Sequence, residues 1–158
     1  MPTTSPDILI ADEIVTAINA PAFSQAFVAE RLYAPDWDEK DELGSLQVGV
    51  WPNDETVEIW ERPNLLKTYE INLGFAKRVE AVSRDTLDGL MDLVNEVAVF
   101  LDLQTVELGD GRQYYFIGRE YLIRFATSFL DRNKGADDSV KYTGKFASAF
   151  TITYQEAV

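Results

Sequence analysis

The densest run of potential ligands in this sequence is Asp36-Trp37-Asp38-Glu39-Lys40-Asp41-Glu42. Its first two acids have the alternate spacing with which a calcium loop begins, where carboxylates converge on one hard cation. Counted from Asp36, however, position five is Lys40, position six is Asp41 where the turn needs glycine, and position twelve is Gln47 where a bidentate glutamate belongs. A magnesium-dependent nuclease would also combine acids with a lysine, and Asp38-Glu39-Lys40 has that local spacing. Metal-assisted phosphoryl chemistry needs a rigid clamp and a basic surface to hold its substrate, and an acidic, turn-rich run offers neither. Gly109-x-Gly111 has no third glycine and no strand-to-helix setting, so it reads as a hairpin turn rather than a dinucleotide loop. The chain has no histidine and no cysteine. Ser-His-Asp and Cys-His catalysis and His/Cys zinc sites are therefore excluded. The expectation is a protein without catalytic, cofactor-binding or metal-binding residues: not an enzyme, and with no cofactor.

What remains is recognition. Trp37, Trp51 and Trp60 all fall in or beside polar connections between apolar runs, where full burial is unusual. Each is open to two readings, partial core burial or an anchor in a protein interface, where aromatic residues carry a disproportionate share of binding energy. Trp37, Trp51 and Trp60, with the flanking Glu61 and Arg62, are the candidate interface residues. The formal net charge of −13 makes the average surface repel nucleic acid and anionic lipid. The nearest basic patch, Lys77-Arg78 with Arg84, is small and flanked by Glu80 and Asp85. Lack of cysteine fits synthesis in a reducing compartment. The opening Met-Pro-Thr-Thr-Ser-Pro-Asp has no basic region and no apolar run approaches the ~20 residues of a membrane span, so neither a signal peptide nor a membrane anchor is expected.

With 158 residues, 46% of them apolar, the chain fits one domain over 1–158 with a core that needs no disulfide. Ser5-Pro6-Asp7 predicts a capped helix start, and Ile8, Ala11, Ile14, Val15 and Ile18 give residues 6–20 one apolar stripe. Phe27 to Tyr33 reads as a strand, and 34–44 as an exposed loop with at most one helical turn. Leu46, Val48 and Val50 alternate up to Trp51-Pro52, where proline is expected to stop ladder pairing and Asn53-Asp54 to turn the chain into a second arm carrying Val57, Ile59 and Trp60. Leu66 to Val79 reads as a long strand, and a helix capped by Ser83 follows with a broad apolar face through Leu101. Gly109-Asp110-Gly111 predicts a hairpin between 105–108 and 113–117. Leu122 to Leu130 reads extended, 133–138 as a loop, and Phe146 to Tyr154 as a closing strand. The fold class expected is α+β, a mainly antiparallel twisted sheet packed against two helices, since short connections favour antiparallel neighbours.

The order and content of these segments resemble the tail terminator, or tail-completion, proteins of long-tailed bacteriophages and prophages. The resemblance is one of pattern over most of the chain. Its residues are Phe27-x-x-Glu30-Arg31-x-Tyr33-x-Pro35, Leu43-x-x-Leu46-x-Val48-x-Val50-x-Pro52, the strand ending Lys77-Arg78-Val79, the helix with Leu87-x-x-Leu90-x-x-Leu93-Val94, and Phe146-x-Ser148-x-Phe150-x-Ile152-Thr153-Tyr154. The stretch from Gly118 to Gly144 is longer than the pattern requires and predicts an added hairpin or loop. The resemblance implies a small α/β sandwich that forms a hexameric ring at the neck of the virion. On that reading the ring caps the head-proximal end of the tail tube, with the tube protein on one face and the head connector or head-completion protein on the other. It would be assembled in the bacterial host cytoplasm. DNA would pass through the lumen without specific binding, and Asp36, Asp38, Glu39, Asp41 and Glu42 are the candidate lining of that channel, where like charge prevents adhesion. Two other readings remain open at this point: another neck or tail-tube component, or a monomeric protein-binding module that recruits a partner through its aromatics.

Overall fold

The computed structural model describes residues 4–37, 43–61, 64–79, 84–134 and 140–156, with side chains described except at 60–61, 64, 125–134 and 140–143. The elements are α1 (Pro6–Asn19), β1 (Ala29–Arg31), β2 (Gln47–Glu61), β3 (Asn64–Val79), α2 (Arg84–Leu101), β4 (Val106–Glu107), β5 (Gln113–Lys134) and β6 (Val140–Glu156). The strands form one six-stranded sheet in the order β1-β2-β3-β6-β5-β4. Every neighbouring pair is antiparallel except β1 with β2. The chain is thus a mixed α and β fold with two helices among the described residues, in agreement with the α+β class expected from the sequence.

Helix α1 starts where Pro6 supplies a preset φ and needs no N–H partner. The Ser5 hydroxyl does not cap it, contrary to expectation. It donates instead to the Asp7 carboxylate, whose Oδ1 accepts the Ile8 amide at 2.9 Å, and the Ser5 carbonyl takes the Ile8 and Leu9 amides. Beyond the helix, Asn19 uses its side-chain amide as a short piece of strand: Nδ2 donates to the Ala29 carbonyl at 3.1 Å and Oδ1 accepts the Ala29 amide at 2.8 Å. Arg31 adds an ion pair to Asp12 of α1 at 2.8 Å. These contacts place β1, which is shorter than the predicted 27–33. Phe27 leaves the strand to stack on Phe23, which meets Phe100 of α2 edge-on.

The proline expected to end β2 does not. β2 runs through Pro52 to Glu61, so Trp51 and Trp60 lie on one strand. The reason lies in topology. Leu32 donates its amide to the Val50 carbonyl, so Val50 directs its backbone groups toward β1, and Pro52, two residues on, directs its own to the same side. β1 pairs only with Val48 to Val50. The N–H that Pro52 lacks would thus point at an unpaired edge, the one place in a sheet where proline is tolerated. A register shift between Pro52 and Asp54 absorbs the remaining distortion.

The predicted hairpin forms at Leu108 to Arg112, with Gly111 at φ 90°, a conformation that glycine adopts without strain. The two extended stretches predicted at 113–117 and 122–130 are one strand, β5, carrying four register shifts against β6. Ser148 helps to hold the bulged backbone, its Oγ lying 3.1 Å from the Ile123 carbonyl and 2.6 Å from that of Arg124. The Gly118 to Gly144 stretch therefore extends the β5–β6 hairpin. Its tip at 135–139 lies outside the described residues, as do Ser83 and residues 62–63.

Alternate residues of each strand enter the core. Val48 and Val50, Tyr69 to Phe75 at odd positions, and Phe146, Phe150, Ile152 and Tyr154 form one buried cluster with Ile10, Ile14 and Ile18 of α1 and Leu90 to Leu101 of α2. Burying aliphatic and aromatic side chains of this size stabilises by about 1.5–3 kcal/mol each. Tyr154 is wholly buried, and its hydroxyl has no hydrogen-bond partner among the described residues. Desolvation, helped by the nearby Asp102 carboxylate, pushes its ionisation well above the usual tyrosine range. The fold holds that proton more tightly than the unfolded chain does. The contribution is therefore fully present below about pH 10 and lost as pH rises toward the folded-state value, at about 1.4 kcal/mol per pH unit. Tyr154→Phe is expected to flatten the loss of stability between pH 10 and 11 relative to wild type, read by denaturant titration at each pH.

Two ribbons extend beyond the common sheet at opposite ends. β3 meets β6 only from Thr68 onward, so the β2–β3 hairpin stands alone beyond that point. At the other end β3 stops at Val79 opposite Gly144, and β5 and β6 continue together through residues 131–134 and 140–143.

Candidate functional site

On the face of the sheet opposite the core cluster, small residues lie where side chains would otherwise cover the backbone. Gly74 and Ala76 of β3 sit beside Ala147 and Ala149 of β6, brought level by the pairing Gly74↔Ala149 and Ala76↔Ala147. Trp37 and Trp51 rise on one side of this floor, and Leu122 and Ile123 of β5 on the other. The result is an open, mainly apolar groove of about 310 Å³, with Lys145 and Ser148 at its lining.

The tryptophan wall is made by glycines. A Cβ on Gly74 would lie 2.6 Å from Trp51 Cη2, and one on Gly49 would lie 2.6 Å from Leu32 Cδ1 and 2.8 Å from Trp37 Cζ2. Both indoles therefore rest against bare backbone, and the segment after β1 folds over β2 to bring Trp37 beside Trp51. Below them a buried polar pair, Thr151 Oγ1 donating to Asn72 Oδ1 at 2.7 Å, satisfies the floor between β3 and β6. Arg78 and Lys145 occupy directly opposite register positions at one end of the groove.

Of the residues singled out in the sequence, Trp37 and Trp51 come together here. Trp37 is half-buried and Trp51 is buried, with 8% of its surface exposed. Trp60 and Glu61 lie on β2 near the end of the β2–β3 ribbon, well away from this groove along the strand. Arg62 lies outside the described residues. Of the acidic run, Asp36 is exposed beside Trp37, and Asp38, Glu39, Asp41 and Glu42 lie outside the described residues. Among the described residues no group of three or more acids is placed to hold a metal ion, and no helix is long and apolar enough to cross a membrane.

Sequence reading passed over the groove floor. The signal was present as a period-two run of small residues, Gly74 and Ala76 in one strand and Ala147 and Ala149 in another. Their register was not.

A second set of surface residues stands out on the β2–β3 ribbon. Ile59 faces Leu65 across the pair, with Val57 two residues along, and the three are 69%, 47% and 49% exposed. They occupy one face of a two-stranded ribbon that no third strand covers among the described residues, flanked by the exposed acids Asp54, Glu55 and Glu58.

The fold defines an α+β domain with an open apolar groove on the outer face of its sheet. No protein-family model matches the chain, and no curated protein matches it.

Proposed function

We propose that this protein is the tail terminator of a long-tailed bacteriophage or prophage, a six-membered ring that caps the head-proximal end of the tail tube and receives the head connector. The observation that carries the reading is the presence on one subunit of two separate apolar surfaces, the groove on the sheet and the exposed face of the β2–β3 ribbon. A closed ring of identical subunits needs two different surfaces on each subunit, one to give and one to receive, related by a rotation that closes. The apolar groove and the exposed Val57, Ile59 and Leu65 are two such surfaces. The ring and the sandwich-like layering of helices on the sheet belong to this proposal, as do the tube protein and connector as partners and the neck of the virion as its place.

The net charge of −13 fits a bore through which DNA passes without sticking. The acidic run from Asp36 to Glu42 is the proposed lining.

Negative-stain microscopy of the purified chain, alone at rising concentration and mixed with bacteriophage tail tubes, tests the reading. Six-fold rings, or tubes of uniform length with capped ends, are expected. A chain that polymerises into tubes of its own is a tube subunit instead, and one that stays monomeric and ignores tubes is a binding module.

A further inference from the structure

We infer that the β2–β3 ribbon of one protomer docks its apolar face in the tryptophan-walled groove of the next, making the head-to-tail contact by which the ring closes. The inference rests on the ring reading above and assigns its interface. Three observations carry it.

The first is matching chemistry on two surfaces that cannot meet within one chain. The groove opens near Leu122 and Ala149, which lie level with Phe150 and Leu73, whereas Ile59 lies level with Leu65. Eight residues of β3 separate Leu65 from Leu73, about 27 Å at the usual strand rise. An apolar patch complementary to a pocket elsewhere on the same molecule produces a heterologous contact, which passes from copy to copy.

The second is size. The groove's 310 Å³ is about twice the ~150 Å³ apolar cavity that takes up a benzene ring, so it has room for aliphatic side chains such as Ile59 and Leu65 together. A two-stranded ribbon is also slim enough to lie across a groove floored by glycine and alanine, where the backbones approach closely.

The third is charge. The ribbon carries Asp54, Glu55 and Glu58 against Lys67, whereas the end of the groove carries Arg78 opposite Lys145. An acidic ribbon and a basic groove end are complementary across a contact between copies, which favours this pairing of surfaces. Glu30 and Asp36 lie toward the tryptophan side, so the polarity of the site runs across the groove and sets the direction in which the ribbon enters.

The chain contains no cysteine, so a cross-link between introduced cysteines reports a single contact. Ile59→Cys and Leu122→Cys both replace exposed side chains. Under mild oxidation the double variant is expected to give a ladder of covalent oligomers. An equimolar mixture of the two single variants is expected to give one cross-linked dimer, and each single variant alone none. Sedimentation of the unmodified chain is run in parallel. Oligomers by sedimentation without the ladder would place the contact elsewhere and overturn the inference while leaving the ring reading intact. Dimers from Ile59→Cys alone would show a two-fold contact and overturn it equally. A chain that sediments as a monomer at every concentration, forms no rings, leaves added tail tubes uncapped, and gives no cross-link with or without them removes both the inference and the ring.

Discussion

Phe150→Ala is expected to destabilise the fold by about 3–5 kcal/mol, the range for removing a large aromatic side chain from a packed core. Phe150 is fully buried in β6, a central strand. Its ring stacks on Phe75 with centroids 6.1 Å apart, meets Tyr121 edge-on at 5.9 Å, and has the Arg119 guanidinium 5.9 Å from its centre. The neighbours that would have to collapse into the void lie on two different strands, β3 and β5, each fixed by a ladder to β6. Little relaxation is available, which places the cost toward the upper part of the range. Urea unfolding with an unchanged slope is the measurement, and a loss below about 1 kcal/mol would show that the site closes freely.

Gly74→Val is expected to cost about 1–3 kcal/mol, the usual penalty for forcing atoms into occupied space, and to abolish self-association. The glycine takes no unusual φ, so the obstacle is space rather than backbone strain: the new Cβ would meet Trp51 Cη2 at 2.6 Å and Cζ3 at 2.9 Å. Trp51 has to leave its seat, and it leaves toward the groove. Two readouts separate this from general damage. Indole fluorescence should shift to the red as Trp51 gains solvent, and the double variant with Trp51→Leu should recover much of the stability, because the two sites are in contact and their effects are not additive. No recovery in the double variant would mean that Gly74 is needed for another reason.

Much of this fold was legible in the sequence because period and punctuation agreed. α2 declared itself through Leu87, Leu90, Val94, Val97 and Leu101, and β3 and β6 through unbroken alternation in strands that have neighbours at both edges. What misled was local chemistry whose meaning depends on topology. Pro52 stops a strand that has neighbours on both sides but not one whose donor would face an open edge, and no residue near Pro52 reveals which case applies. The bulges of β5 break period two at each register shift, so one 22-residue strand reads as two short ones. The groove was the least visible part. Its aromatic wall could be suspected from Trp37 and Trp51, but its floor is made by residues some 70 positions apart in sequence, Gly74 and Ala149 among them, and only their register makes them neighbours.

The position of β6 in the sheet also governs when the protein can fold. It is the last strand in chain order, yet it lies between β3 and β5. Tyr69 must find Tyr154 before β5 has any tie to the first half of the sheet. Such distant pairings are slow, since the closure entropy of the intervening chain is spent before the contacts form. A ribosome delivering this chain exposes β2 and β3, with only α1 available to cover their apolar sides, for as long as residues 80–139 take to emerge. In the ring proposed above, assembly could not begin on a chain that has not yet passed residue 149, because the groove has no second wall and half a floor until then. Only subunits folded beyond that point present both surfaces at once, which would keep half-made copies out of such a ring.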